Sequence, residues 1–377
     1  MNKKKTLLIV INVDWLFLLH RLAIAKYAHE NGFHIVVAAK DTGKSAEIRK
    51  HGFHFIDLNI SRSGVNWVAE LTLMRAIFKI YNSIKPDLVY HITMKPVIYG
   101  AIVARLLKIK TVNAISGLGY NFTENRRGFV QKVMIQLMKF GFNKENNYLV
   151  FENKDDLNQI QHLGIINLKN KTQVIQGVGV NLQKYAYQDE VKNEKVVILL
   201  PTRMLWDKGV KEFIEAAKLL KDKYYGIVFF KLCGMVDRGN KEGVPEHYLK
   251  HSEIKGYLKW VGYQNNMPAV YSEADIVVLP SYREGLPTAL IEACASGKPI
   301  VTTDAIGCKD CVDEGVNGYK VPVKSFVALA KAMEKLILAP EDRKRMGQHG
   351  REKAAKEFDQ KEVVKKHLKI FNNLLEA

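Results

Sequence analysis

The residues of this sequence best suited to chemistry lie in an acidic loop that leads into a helix. Residues 280–293 have the sequence PSYREGLPTALIEA and follow a short apolar run. Pro287 suits a first helical turn, where its missing N–H group leaves no hydrogen bond unmade. The free N–H groups at such a helix start, together with the helix dipole, favour a phosphate or a sugar hydroxyl. Because Glu284 and Glu292 are eight residues apart, we expect them to contact different parts of one ligand.

Two cations follow another apolar run in the same half of the chain. Residues 202–209 have the sequence TRMLWDKG, which puts Arg203 and Lys208 just after a predicted strand. An arginine can contact a diphosphate through two parallel hydrogen bonds, and a lysine supplies a compact point charge. The sequence contains no Asp-x-Asp motif, which could hold a metal ion. We therefore expect the two cations to bind an anion such as a diphosphate without a metal ion or another cofactor.

Short apolar runs that alternate with helical patterns predict the framework for these loops. Runs without polar alternation are typical of strands that are buried on both faces of a parallel sheet. A polar stretch divides the runs into two series, so the sequence predicts an α/β protein with two Rossmann-like domains. The predicted strands are 7–11, 34–39, 53–58, 88–91, 111–114, 148–151 and 173–175 before the break, and 196–200, 227–233, 258–261, 276–279, 299–303 and 319–321 after it.

The predicted domain boundaries follow from this division. We expect an N-terminal domain over residues 1–183, a linker over 184–195 and a C-terminal domain over 196–355. Residues 356–377 are predicted to form a helix that packs back towards the N-terminal domain. Since ligands of open α/β sheets bind beyond the carboxyl ends of the strands, the cleft between the two domains is the expected site.

The order Arg-x4-Lys followed by Glu-x7-Glu resembles a known family. It is similar to the retaining glycosyltransferases of the GT-B fold class that are grouped as family 4. Within that family, residues 204–213 (MLWDKGVKEF) and 280–287 (PSYREGLP) are similar to bacterial transferases that add N-acetylgalactosamine to undecaprenyl-diphosphate-linked sugars. The resemblance implies two Rossmann-like domains whose parallel sheets face a deep cleft. It also implies a UDP-sugar donor and a lipid-linked saccharide acceptor, in the assembly of a bacterial surface or glycoprotein glycan.

The resemblance implies roles for single residues of the C-terminal half. Arg203 and Lys208 would neutralise the diphosphate of the leaving nucleotide, and Glu284 would contact the donor sugar on its reacting face. Glu292 would accept hydrogen bonds from the ribose hydroxyls. Retention would follow from attack on the same face, with the leaving phosphate taking the acceptor proton. The other residues expected to bind the donor are Gly262, Tyr263, Gly285, Leu286, Pro287 and Thr288.

The N-terminal half departs from the family pattern at two places. Residues 12–15 are NVDW where the family often has paired glycines, and Ser116 stands where many members have a histidine. The residues expected on the acceptor side are Asp14, His20, Ser116 and Gly117.

Charge adds an expectation about partners. The formal net charge is +18, which favours polyanions such as an anionic membrane or a phosphorylated substrate. Residues 126–144 are basic and strongly apolar and contain no acid, as in a helix that lies on an anionic membrane. The alternative is a domain helix whose apolar face belongs to the core. No nucleic-acid-binding module is recognisable, so no nucleic acid is expected as a partner. The expected membrane contacts are Arg126, Arg127, Phe129 and Lys132.

The remaining observations concern the compartment. Four cysteines in 377 residues are too few for a disulfide framework, which fits a reducing cytoplasm. Asn12 and Asp14 interrupt the apolar run near the N-terminus, so a buried first strand is expected there rather than a signal peptide. We expect a metal-independent hexosyltransferase that is attached peripherally to the inner face of the cell membrane. The alternative is a nucleotide-sugar epimerase or another GT-B enzyme that acts on a soluble acceptor.

Overall fold

A computed structural model describes residues 4–60, 67–118, 128–142, 146–187 and 194–376, and their contacts separate into two units. The first unit contains residues 1–178 and 361–377, and the second contains residues 179–360. Each unit is built around its own parallel sheet, as the runs of apolar residues predicted.

Strands and helices alternate along the first unit. Its strands are β1 (Lys5–Val13), β2 (Phe33–Lys40), β3 (His54–Asp57), β4 (Leu88–Ile92), β5 (Lys110–Ile115), β6 (Asn147–Phe151) and β7 (Lys171–Val174). Its helices are α1 (Asp14–His20), α2 (Leu22–Glu30), α3 (Ser45–Lys50), α4 (Trp67–Ile84), α5 (Ala101–Leu106), α6 (Phe129–Gly141) and α7 (Lys154–His162), with a π-helix at Pro96–Gly100. The strands pair in parallel in the order β3-β2-β1-β4-β5-β6-β7.

The second unit repeats this plan. Its strands are β8 (Val196–Pro201), β9 (Val228–Cys233), β10 (Leu258–Trp260), β11 (Ile276–Leu279), β12 (Ile300–Thr303) and β13 (Gly318–Val321). Its helices are α8 (Val210–Tyr224), α9 (Glu246–Ser252), α10 (Met267–Ser272), α11 (Thr288–Ala295), α12 (Phe326–Leu338) and α13 (Pro340–Glu357). The parallel order is β10-β9-β8-β11-β12-β13. The strand order reverses between β8 and β11, and open α/β sheets bind their ligands at such a point.

Strand β1 shows why the apolar runs lack polar alternation. Leu7, Ile9 and Ile11 pack on one face of the sheet, together with residues of α2. Leu8 and Val10 pack on the other face, together with residues of α4 and α5. Since helices cover both faces, every position of the strand centre is apolar.

The last helix returns the chain to the first unit. α14 (Gln360–Glu376) buries Val363, Ile370 and Phe371 in the same cluster as Leu7. The ring of Phe371 meets the ring of Tyr90 edge-on, with 5.4 Å between the ring centroids. The helix begins four residues after position 356, because α13 continues to Glu357.

The chain between the two sheets belongs to the second unit as far as it is described. The sequence predicted a domain that ends at residue 183 and a linker over residues 184–195. Val180 instead forms a bridge with Asp359, and the Arg351 guanidinium donates to the backbone oxygen of Tyr185. These bonds attach residues 179–187 to the second unit, so the unit boundary precedes residue 179. Residues 188–193 lie outside the described residues.

Candidate active site

The two loops that are predicted to carry the chemistry meet at the reversal point of the second sheet. One loop follows β8 and contains a short 3-10 turn at Trp206–Lys208, and the other follows β11. The Tyr282 N–H donates to the backbone oxygen of Asp207 at 2.9 Å. Gly209 has φ +73°, and a Cβ at this position would collide with the backbone of Pro280. The close approach therefore requires glycine, and it brings the basic motif against the acidic one.

Lys208 and Glu284 form an ion pair within this site. The Lys208 Nζ lies 2.7 Å from the Glu284 Oε1, and the two side chains are only 12% and 15% exposed. The buried Ser281 hydroxyl donates to the same carboxylate oxygen at 2.8 Å. The pair places a cation beside a fixed carboxylate, which suits a ligand that carries both a phosphate and sugar hydroxyls. Sequence reasoning gave Ser281 no role, although it lay in the motif.

Arg203 lies at the end of β8 and remains accessible. Its Nη1 lies 3.1 Å from the Asp237 Oδ2, and the side chain is 40% exposed. Asp237 was not a predicted site residue. The Asp237 side chain is only 8% exposed, so moving the guanidinium away would leave a buried carboxylate without this cation. We therefore expect Arg203 to keep this partner while its exposed part meets an incoming anion.

The start of α11 is held in place by the loop that follows β12. The Glu284 N–H donates to the Ile306 oxygen at 3.0 Å. Gly307 has φ +80°, and a Cβ there would collide with the backbone oxygens of Glu284 and Gly285. Pro287 is the N-cap residue of α11, so the helix begins at Thr288, one residue later than the expected start. Leu286 is buried and Thr288 is half-buried; their contacts with a ligand stay predictions.

Glu292 lies within the first two turns of α11 and accepts a hydrogen bond from a tyrosine hydroxyl. The Tyr185 Oη donates to the Glu292 Oε1 at 2.6 Å. Burial raises the pKa of Glu292 above its usual range, and hydrogen bonds from Tyr185 and Tyr271 oppose that rise only in part. Sequence reasoning missed Tyr185, because this residue was assigned to the linker.

Gly262 and Tyr263, which are predicted to bind the donor, lie beside the end of β9. The Gly234 N–H donates to the Gly262 oxygen at 2.8 Å. Gly234 itself lies so close to Thr202 that a Cβ would collide with its backbone oxygen. Tyr263 is 59% exposed, so its ring is available to a ligand.

Asp14 accepts several hydrogen bonds within the first unit. Its buried carboxylate accepts the backbone N–H groups of Trp15, Thr42 and Lys44, and also the Thr42 hydroxyl. These bonds tie the loop after β2 to the start of α1. The predicted acceptor-side role of Asp14 would therefore be exerted through the loop after β2 and the start of α1, because its oxygens already accept these hydrogen bonds.

A buried arginine links the other predicted acceptor-side residues. The Arg21 Nη2 donates to the Ser116 Oγ at 2.8 Å and lies 3.1 Å from the Glu152 Oε1. His20 directly precedes this arginine and is half-buried, and Gly117 follows with φ +99°. The structure thus brings His20 and Ser116 to one edge of the sheet. Arg21 and Glu152 are 131 residues apart, and sequence reasoning missed both.

The basic segment forms a helix in the part that is described. Arg126 and Arg127 lie outside the described residues, whereas Phe129 and Lys132 belong to α6. Met138 is fully buried in the core, but Phe129 is 74% exposed. The helix therefore has a core face, as the alternative interpretation proposed, and an exposed face that is apolar and basic.

The four cysteines pack in the core cluster of the second unit. All four thiols are buried and free, and burial raises the pKa of Cys294 and of Cys308 to about 12. Within the described ranges, His, Cys, Asp and Glu side chains form no group of three or more that could hold a metal ion. None of the helices described is both long enough and apolar enough to cross a membrane.

Solved structures and family models agree with the fold. The chain matches sucrose-phosphate synthase from Thermosynechococcus elongatus with a TM-score of 0.82 and 16% identity, over 99% of this chain and 100% of the other. It matches Anabaena Alr3699/HepE in complex with UDP-glucose with a TM-score of 0.77 and 16% identity, over 98% of this chain and 99% of the other. Two open parallel sheets of this kind define an α/β protein of the GT-B fold class.

Sequence comparison then gives the family. Residues 183–353 match the model for glycosyl transferases group 1, and residues 6–153 match the model for glycosyl transferase 4-like proteins. One relative, from Campylobacter jejuni, is 28% identical over 94% of this chain and 95% of its own length. It is named as an N,N'-diacetylbacillosaminyl-diphospho-undecaprenol alpha-1,3-N-acetylgalactosaminyltransferase. The chain belongs to the group 1 glycosyltransferases, which confirms the predicted family.

Proposed function

We propose that this protein transfers an N-acetylhexosamine, such as N-acetylgalactosamine, from a UDP-sugar to a lipid-diphosphate-linked saccharide. The proposal takes its acceptor and its sugar from the name of the Campylobacter relative, which matches this chain over almost its whole length. The observation that carries the chemistry is the Lys208–Glu284 pair before the start of α11. A cation and a fixed carboxylate at a helix N-terminus suit a sugar joined to a diphosphate.

The reaction breaks the bond between the sugar C1 and the diphosphate oxygen. Lys208 and Arg203 stabilise the charge that develops on the leaving UDP, and the N–H groups at the start of α11 add to that stabilisation. Glu284 binds the donor sugar on its reacting face. In a retaining reaction the acceptor oxygen bonds to C1 from the face that UDP leaves, and its proton passes to the departing phosphate.

Metal independence is part of the proposal. Two cations and a helix N-terminus supply positive charge where a transferase could otherwise use a divalent ion. The absence of an Asp-x-Asp motif from the sequence supports this proposal.

The surface of three neighbouring helices in the first unit supports the proposal that the enzyme works at the inner face of the membrane. α4 and α5 share one core cluster, and α5 and α6 share the next. Glu70 is the only acid in the sequences of the three helices, and it is buried against Lys95. Their exposed large apolar residues are Trp67, Val68, Leu71, Phe78, Leu106, Phe129, Val130 and Phe140. Their exposed cations are Arg75, Lys79, Arg105, Lys132 and Lys139.

We infer that this surface contacts anionic lipid, which would keep the enzyme near a lipid-linked acceptor. Each cation near such a surface contributes about 1 kcal/mol at low salt. Lys132→Glu with Lys139→Glu should therefore release the protein from phosphatidylglycerol vesicles in a sedimentation assay. The matched control is Lys366→Glu with Lys369→Glu on α14, which covers the opposite face of the sheet. Equal release by both variants, or a wild type that never sediments, contradicts the membrane contact.

The proposed reaction is tested with a panel of UDP-sugars and a synthetic undecaprenyl-diphosphate saccharide. Mass spectrometry should show one added N-acetylhexosamine, and NMR should show that the anomeric configuration of the donor is retained. A changed donor sugar without transfer would indicate the epimerase alternative. Transfer to a free saccharide but not to the lipid-linked one would indicate the soluble-acceptor alternative.

A further inference from the structure

Tyr185 is hydrogen-bonded to Glu292, the carboxylate that the family resemblance predicts for the ribose hydroxyls. Its side chain is buried, and its hydroxyl donates to the Glu292 Oε1 at 2.6 Å. We propose that Tyr185 is a positioning residue that orients Glu292 for the ribose hydroxyls, which makes the donor site selective for ribonucleotides over deoxyribonucleotides. The inference rests on the proposed function, in which the ligand of this site is a UDP-sugar.

The segment around Tyr185 is fixed to the second unit at several points. The Arg351 guanidinium donates to the backbone oxygens of Tyr185 and Leu182, at 2.7 Å and 3.1 Å. The Tyr185 N–H donates to the Asn181 oxygen at 3.0 Å. Its ring meets the Tyr271 ring edge-on, with 5.8 Å between the centroids. The hydroxyl is thus delivered to Glu292 by a rigid segment, as positioning requires.

Hydrogen bonds from Tyr185 and Tyr271 still leave Glu292 able to bind more donors. An ionised carboxylate offers about four lone-pair directions, and the two tyrosine hydroxyls use two of them. The remaining directions can accept the 2′ and 3′ hydroxyls of a ribose. Without Tyr185 the carboxylate loses one of the two tyrosine hydrogen bonds that limit its rotation, so its alignment with the ribose is weakened.

The titration of Glu292 gives further support. Burial raises the pKa of Glu292, and the Tyr185 hydrogen bond lowers it. A protonated carboxyl group accepts fewer hydrogen bonds than a carboxylate. Tyr185 therefore helps to keep Glu292 in the form that a ribose needs. A tyrosine that only fills space would not have this effect.

The test compares nucleotide affinities in the full-length protein by calorimetry, with UDP, 2′-deoxy-UDP and 3′-deoxy-UDP. Since a hydrogen bond to a charged group is lost, wild type should bind at least one deoxynucleotide about tenfold more weakly than UDP. Tyr185→Phe keeps the ring and removes the donor. It should reduce this discrimination to about threefold or less, and the affinity for UDP should fall more steeply as the pH is lowered.

Tyr257→Phe is the matched control. Its hydroxyl is also buried in the second unit, but it donates to the Ala217 oxygen at 2.8 Å and does not contact Glu292. This variant should keep the wild-type discrimination. In a Glu292→Gln background, Tyr185→Phe should have little further effect, because Tyr185 acts through that carboxylate.

The outcomes separate this inference from the proposed function. Full discrimination in Tyr185→Phe overturns the inference, as does equal loss in Tyr257→Phe. Equal binding of UDP and both deoxynucleotides by wild type also overturns it, while UDP stays a ligand. A wild type that binds no UDP refutes the proposed donor itself.

Discussion

The Lys208–Glu284 pair should contribute to both stability and catalysis, and variants can separate the two. Lys208→Met leaves the Glu284 carboxylate with the Ser281 hydroxyl, in a place where only 15% of the side chain is exposed. Removing one partner of a buried pair typically destabilises a protein by about 3 kcal/mol, since an uncompensated charge remains. Glu284→Gln should be costly for the same reason, because Lys208 is 12% exposed.

The double variant, Lys208→Met with Glu284→Gln, removes both charges. Its unfolding free energy should recover by about 2 kcal/mol relative to the sum of the single effects. Its turnover should not recover: loss of a preorganised charge beside the leaving group costs about a hundredfold or more in rate. Stability and activity should therefore diverge in the double variant.

Urea denaturation, monitored by tryptophan fluorescence, measures the free energy of unfolding of each variant. Trp15→Phe and Trp67→Phe form the background, so that the emission comes from Trp206 and Trp260 in the second unit. Transfer assays measure the turnover of the same four proteins, which are the parent protein, the two single variants and the double variant. Strictly additive destabilisation would show that the pair is not coupled, and a double variant with wild-type turnover would remove Lys208 from the mechanism.

Other predictions concern charge, backbone and pH. Because burial raises the pKa of Glu292, its ionised form opposes folding. Glu292→Gln should therefore have a higher melting temperature than wild type at pH 8, where Glu292 is ionised, but not at pH 4. Gly209→Ala should weaken UDP binding in calorimetry far more than Gly226→Ala, which has positive φ but open space around it. Turnover should survive excess EDTA; its loss and rescue by Mg²⁺ would contradict metal independence. His91 and His367 have pKa values lowered to about 4 by burial, so urea titrations should show up to about 3 kcal/mol lost for each between pH 6.5 and 4.

Much of the fold could be predicted because buried parallel strands have a plain sequence pattern. Each of the thirteen predicted runs overlaps a strand, and the run 276–279 has the same bounds as β11. The loops after β8 and β11 were predicted as a joint site because parallel strands end at one edge of a sheet. Their contact is made through Gly209 and Pro280, which are far apart in the chain.

The missed residues depend on contacts that no local pattern encodes. Tyr185 lies in a polar stretch, and its partner Glu292 is 107 residues away. Arg21 joins Ser116 and Glu152 only because β1, β5 and β6 end at the same edge. Residues of this kind could be found from the sequence only with a model of which strands are neighbours.

The path of the chain through the two units has a consequence for synthesis on the ribosome. The first sheet is completed by Val174, but α14, which covers one face of it, is translated only after the whole second unit. Until then, Phe33 and Tyr90 lack their ring contacts with Phe371. The nascent first unit therefore exposes an apolar sheet face while roughly half of the chain is still being made. Such a face is a target for chaperones and a risk for aggregation, so truncation before α14 should lower the soluble yield.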